Sequence, residues 1–154
     1  APGDWLRARP FGARVGPWFF AHAGNSQGLT VRELQMSLAL ARQAHQDFND
    51  PFIVGAQSLL EARAWYASPA VVQEYLQALG VAHVVFGHDP NALGPRGEIA
   101  VAQSSALFRI DCGMSPTIDD SKGRLLQLRH PSATRFVAEQ VTPTGATTLL
   151  WQDP

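Results

Sequence analysis

Cysteine is nearly absent from this chain. Cys112 is the single one in 154 residues, so no internal disulfide framework is available. Charge is scarce as well: Asp, Glu, Lys and Arg make up 16% of the residues and nearly cancel to a net −1. Without a basic excess there is no electrostatic footprint for nucleic acid or for an anionic membrane. No apolar run approaches the ~20 residues that a membrane helix needs. Internal repeats, heptads and low-complexity tracts are missing too. No secretory leader opens the sequence, a feature that a processed protein would also lack, so cytoplasm and periplasm both stay open.

What is present is a core. Hydrophobic residues make up 45% of the chain, and its length suffices for one domain that buries them, so residues 1–154 read as a single unit. Strand and helix patterns alternate through the first two thirds. Asp4 to Arg9 reads as the tail of a helix ended by Pro10, and a strand follows near Ala13–His22 across a Gly16-Pro17 break. Thr30 and Glu33 have capping-box spacing ahead of a long helix, which puts Leu34, Leu38, Ala41, His45 and Phe48 on one face. Asn49-Asp50-Pro51 reads as its end. Ser68 and Pro69 open another helix, with Val72, Leu76 and Leu79 inward and Gly80 as stop. A strand at Ala82–Phe86 follows at once. This alternation implies a layered α/β arrangement. After His88 the pattern changes to short runs at Glu98–Gln103, Ala106–Cys112, Arg124–Arg129, Thr134–Val141 and Thr147–Gln152. Strands in succession without helices imply an antiparallel, meander-like sheet. Leu125, Leu126, Leu128, Phe136, Ala138, Leu149 and Trp151 are expected on its covered face.

Two apolar runs end in the same way. Trp18-Phe19-Phe20-Ala21-His22-Ala23-Gly24 and Val84-Val85-Phe86-Gly87-His88-Asp89-Pro90 each stop at a histidine beside a glycine. Ligands collect at the carboxyl ends of buried strands in α/β proteins, and a neutral imidazole there can bind a metal. The remaining polar groups have more ordinary readings. His45 reads as a core or boundary histidine, and His83 and His130 as solvent-facing. Asp119-Asp120 reads as a solvated turn, and Cys112 as a small buried apolar residue. Arg109 reads as a partner in a surface or inter-element ion pair.

A third run, Arg109-Ile110-Asp111-Cys112-Gly113-Met114-Ser115, adds specificity. With Phe20-Ala21-His22-Ala23-Gly24, Phe86-Gly87-His88 and the intervening Arg63-Ala64-Trp65-Tyr66, it resembles the calcineurin-like metallophosphoesterases, nearest to the bacterial Shewanella-like protein phosphatase branch. The resemblance runs in consistent order from Trp5 to Arg129. Ala23 departs from the usual glycine after the first histidine, and Asp89-Pro90 from the usual threonine-containing turn. The opening family motifs, Asp-x-His, Gly-Asp-x-x-Asp-Arg and Gly-Asn-His-Glu, do not occur: Gly3-Asp4-Trp5-Leu6 and Gly24-Asn25-Ser26-Gln27 do not complete them.

The resemblance therefore implies the carboxyl-terminal half of a metallophosphoesterase domain, an incomplete layered α/β sandwich with an antiparallel carboxyl-terminal sheet. It implies metal-dependent hydrolysis of phosphate monoesters, phosphoprotein among them, at a site of two divalent ions, with Mn or Fe the expectation and Zn admissible. His22 and His88 would hold the same ion. No catalytic residue would lie in this chain, which alone would be inactive. Asp111 is either a carboxylate that orients a ligand histidine or a cap for the turn at Cys112-Gly113-Met114. Arg63 is a weak candidate for phosphate contact, with a surface arginine on a helix as its ordinary reading. The implied partner is the amino-terminal half, or a second copy of the chain, because a severed sandwich would leave the Trp18-Phe19-Phe20 strand short of cover. The competing reading is a non-catalytic binding or interaction module built on the same scaffold.

Overall fold

Four consecutive buried residues, His83–Phe86, form the middle of the molecule. A strand hydrophobic on both sides needs a layer on each of its faces, which is the setting of parallel sheets. In a computed structural model, which describes residues 5, 9–44, 49–112, 117, 121–132 and 135–154, both layers are present. The strands are β1 (Gly12–Val15), β2 (Trp18–Ala21), β3 (His83–Phe86), β4 (Ala100–Ala102), β5 (Leu107–Arg109), β6 (Leu125–Ser132), β7 (Arg135–Val141) and β8 (Thr147–Gln152). The helices are α1 (Val31–Ala44), α2 (Pro51–Val54) and α3 (Pro69–Leu79), with a 3₁₀ turn at Trp65–Ala67. Strands β1 to β5 form one mixed sheet in the order β1-β2-β3-β5-β4, and β6-β7-β8 form a separate antiparallel sheet. Among the described residues no helix is long and apolar enough to cross a membrane.

The period-2 alternation of strand side chains assigns each residue to a layer. Phe19, Val84, Phe86 and Leu107 face the helices and pack with Leu34, Trp65, Val72, Leu76 and Leu79. Trp18, Val85 and Phe108 face the other way, against Leu126, Leu128, Phe136, Ala138 and Trp151 of the antiparallel sheet. Each fully buried large side chain of this kind contributes about 1.5–3 kcal/mol. Trp18 and Phe19, expected to lack cover, are 1% and 2% exposed, whereas Phe20 is half-buried at an open apolar cleft. The chain's own second sheet and helices supply both covers.

The helix ends follow local chemistry. The Thr30 backbone N–H donates to Glu33 Oε2 at 2.8 Å, and the Glu33 N–H donates back to Thr30 Oγ1 at 3.2 Å, a closed capping box. Leu34 and Ala41 are the buried residues of α1; His45 and Phe48 lie outside the described residues. Ser68 caps α3 from the Val71 N–H, and Gly80, at φ +63°, ends it. The Val81 N–H reaching Leu76 O completes the Schellman pattern. Asn49 and Asp50, expected to end the long helix, are non-helical, and Asp50-Pro51 also opens a further element. The Asp50 carboxylate accepts the Phe52 N–H at 2.8 Å and caps the short α2.

Other expectations change in the strands. The stretch 13–22 is a hairpin, not one strand: Gly16, at φ +55°, and Pro17 form a two-residue turn that pairs Val15 with Trp18. β5 is parallel to β3, so the succession of strands after His88 is antiparallel only at the β4 edge and in the second sheet. In that second sheet, Leu125 and Leu149 are 63% and 54% exposed. The register shift between Ala138 and Glu139 inserts an extra residue in β8, turning Leu150 and Trp151 inward in place of Leu149. His83 is buried, not solvent-facing. It stacks on Trp18 with centroids 4.1 Å apart, meets Trp151 at 4.3 Å, and its Nδ1 lies 2.6 Å from Ser105 O. His130 does face solvent.

Candidate functional site

Because β2, β3 and β5 are parallel and in register, their carboxyl ends lie side by side. His22 follows β2 directly, while His88 follows β3 across Gly87, and Asp111 follows β5 across Ile110. Backbone bonds hold the ends together: the Gly87 N–H donates to His22 O at 2.7 Å and the Ile110 N–H to Phe86 O at 2.8 Å. All three residues border one open cleft of about 550 Å³, whose other walls include Phe11, Phe20 and Ile110. The cleft is a mostly apolar trough with its polar groups at the strand ends.

His22 and His88 meet there. His22 Nε2 is 3.1 Å from His88 Nδ1, with ring centroids 4.9 Å apart. Two nitrogens on one ion at bond lengths of about 2.0–2.1 Å stand roughly 2.9–3.3 Å apart, so the pair fits two positions on a single metal. A neutral imidazole donating to its neighbour gives the same spacing. His88 sits at φ +66°, a conformation that costs a non-glycine residue about 1–2 kcal/mol, and in this strained turn its ring faces His22. Among the described residues no group of three or more His, Cys, Asp or Glu could hold an ion, and a catalytic metal usually has three protein ligands.

The turn after His22 is locked from beneath. The Ala23 N–H donates to Leu59 O at 2.7 Å, and the Trp65 indole donates to Ala23 O at 2.8 Å. Gly24, at φ +75°, leaves no room for more: a Cβ there would lie 2.8 Å from Phe86 Cβ and from Trp65 Cζ2. The segment Arg63-Ala64-Trp65-Tyr66 thus reaches both histidine turns, since the Tyr66 hydroxyl donates to Asp89 Oδ2 at 2.6 Å. Asp89 also accepts the Asn91 N–H at 3.1 Å and lies 3.7 Å from Arg63 Nη1. Burial alone would raise the Asp89 carboxyl, but the Tyr66 and Asn91 hydrogen bonds and the Arg63 and His88 charges outweigh it and hold it below the usual carboxylate range. The Tyr66 phenol is pushed up to about 12, by burial first and then by Asp89, and so remains a donor.

Asp111 borders the cleft but makes no hydrogen bond to either imidazole; its backbone oxygen accepts from Arg109 Nη1 at 2.8 Å. The turn it was alternatively expected to cap continues from Gly113 outside the described residues, as does Asp119-Asp120. Arg63 is in a loop, not on a helix. Its contact is Asp89, which places it at the back of the His88 turn and not on the cleft wall. Arg109 corrects its expectation more sharply. It is fully buried and its guanidinium donates to the carbonyls of Ala92, Pro95 and Asp111, with no carboxylate within ion-pair distance among the described residues. It ties the loop after β3 to the end of β5. Cys112 is buried, with Sγ 3.2 Å from Arg124 O. Glu61, with Oε2 3.5 Å from His88 Nε2, carries no signal in the sequence that marks it.

No protein-family model matches the chain, and no curated protein matches it by sequence. Its fold is similar to solved structures of phosphatases. One is a cold-active protein-tyrosine phosphatase of a psychrophilic Shewanella species, with 21% identity and a TM-score of 0.67 over 97% of this chain and 45% of that one. Another structure of a cold-active protein tyrosine phosphatase shares 20% identity and a TM-score of 0.67 over 96% of this chain and 44% of its own. The chain therefore spans less than half the length of these phosphatases, and at this identity the likeness establishes a shared mixed α/β fold.

Proposed function

We propose that this protein belongs to a metal-dependent phosphoesterase that hydrolyses phosphate monoesters, phosphoproteins among them, and that its two-metal site needs an amino-terminal half beyond these 154 residues. The observation that carries the reading is the 3.1 Å approach of His22 Nε2 to His88 Nδ1 at the mouth of the cleft. The names of the structural neighbours support the phosphatase part. Their greater length supports the incomplete-site part.

Phosphate-ester hydrolysis requires a hydroxide at neutral pH and neutralisation of the transferring group, both of which a pair of divalent ions, Mn, Fe or Zn, supplies when bound. In this chain His22 and His88 would hold one of those ions between them. The strained backbone at His88 and the Trp65 clamp under Ala23 keep the two imidazoles facing each other. Phe11, Phe20 and Ile110 shape the apolar wall along which the organic part of an ester would lie. Arg109, buried away from the cleft, holds the β5 end in place.

Calorimetric titration with Zn²⁺ and Mn²⁺, beside an aryl phosphate assay, tests this. Binding at the histidine pair, lost in His22→Ala and in His88→Ala, is expected. Turnover by the 154 residues alone should stay near background and rise in a longer polypeptide that carries Asp-x-His and Gly-Asn-His-Glu. Absence of binding would favour an interaction module on the same scaffold. Robust turnover by this chain alone, abolished by His22→Ala, would place the complete site within it and refute the half-site reading.

A further inference from the structure

The Nε2 atom of His88 is buried and has no hydrogen-bond partner among the described residues. The opposite ring nitrogen, Nδ1, faces His22, so Nε2 points away from the shared position and toward Glu61, whose Oε2 is 3.5 Å off. A buried donor left without an acceptor costs about 1–3 kcal/mol. The other carboxylate beside the turn is already engaged: Asp89 takes the Tyr66 hydroxyl and the Asn91 N–H. Asp111, expected from the sequence to orient a histidine, bonds to neither imidazole. Glu61 meanwhile has an anchored backbone, because its N–H and that of Leu60 both donate to the fully buried Ser58 hydroxyl, at 3.1 and 3.2 Å.

We infer that Glu61 is the positioning residue of this site: its carboxylate accepts the His88 Nε2–H and thereby keeps the Nδ1 lone pair directed at the ion shared with His22. This rests on the metal-site reading above. The 3.5 Å separation exceeds the 2.7–3.2 Å of a hydrogen bond, and rotation about a torsion of the half-exposed Glu61 side chain closes it. Histidines that bind metal through one nitrogen commonly give the other N–H to a carboxylate, which fixes the tautomer and raises the basicity of the ligand. Glu61 is half-exposed on a turn, so replacing it leaves the core intact.

The test pairs two readouts on the 154-residue chain. The first is the His88 tautomer in the metal-free protein, from ¹⁵N–¹H correlation of the ring nitrogens at about pH 8, where imidazoles are in general neutral. The second is affinity for Zn²⁺ by calorimetry. Glu61→Met, which keeps length and removes the acceptor, should depopulate the Nε2–H form of His88 and weaken zinc about tenfold, the low end for loss of a supporting carboxylate. Glu61→Gln, which keeps an acceptor, should recover the tautomer. An unchanged tautomer in Glu61→Met overturns the inference, whatever happens to zinc. If the unmutated chain binds no zinc while Glu61→Met still shifts the tautomer, the metal-site reading fails and the orienting contact stands.

Discussion

His83 shows how far tertiary surroundings move a single residue. It occupies the first position of β3, where nothing in the sequence separates it from a surface histidine. Packing places it between Trp18 and Trp151 at the junction of the two sheets, and desolvation lowers its pKa below 6.5 against smaller opposing effects from Ser105 O and Asp153. A depressed folded-state pKa means that the unfolded chain takes up a proton that the folded protein resists. The associated stability is complete above about pH 6.5 and is lost as pH falls through the lowered folded value. Urea midpoints should therefore drop between pH 7 and pH 5, and His83→Gln should flatten that dependence. An equal slope in both proteins would assign the acid sensitivity to other groups.

Elements were legible where their signals are local. The Thr30–Glu33 box, the Ser68-Pro69 start and the Gly80 stop all act within a few residues of themselves, and all occur as their spacing predicts. Turns whose outcome depends on distant contacts were not legible. Gly16-Pro17 could break a strand or reverse it, and only pairing of Val15 with Trp18 decides. Asp50 could end one helix or cap the next. The Gly24 turn belongs to the second kind, because its need for glycine comes from Phe86 and Trp65, far away in sequence. Gly24→Ala combines left-handed strain with contacts near 2.8 Å and should destabilise the protein by about 2–4 kcal/mol, read from the denaturation midpoint. Wild-type stability in that variant would show that the clamp under His22 yields freely.

For the whole molecule, stability hinges on the contact between the two sheets. Trp18, Val85 and Phe108 on one side meet Ala138 and Trp151 on the other, with Trp18 and Trp151 edge to face at 5.6 Å. Trp151→Ala should cost about 3 kcal/mol, within the range for removing a large aromatic from a core. It should also uncover Trp18, giving increased binding of an apolar dye before global unfolding. If dye binding and unfolding midpoint both stay unchanged, the antiparallel sheet is not the cover that Trp18 requires.

From the sequence alone came the α/β class, the helix caps, the apolar strands and the two histidines that end them, since periodicity and turn chemistry act over short distances. The tertiary structure decided which ends become neighbours. Parallel register of β2 with β3 is what brings His22 and His88 to 3.1 Å, because strand pairing depends on the whole layer and not on either run. The same long-range packing buried Arg109 and His83, put Asp111 beside the imidazoles without bonding to them, and set Glu61 against His88. Burial, hydrogen-bond partner and charge environment are properties of assembled surroundings, so those roles existed only once the chain had folded.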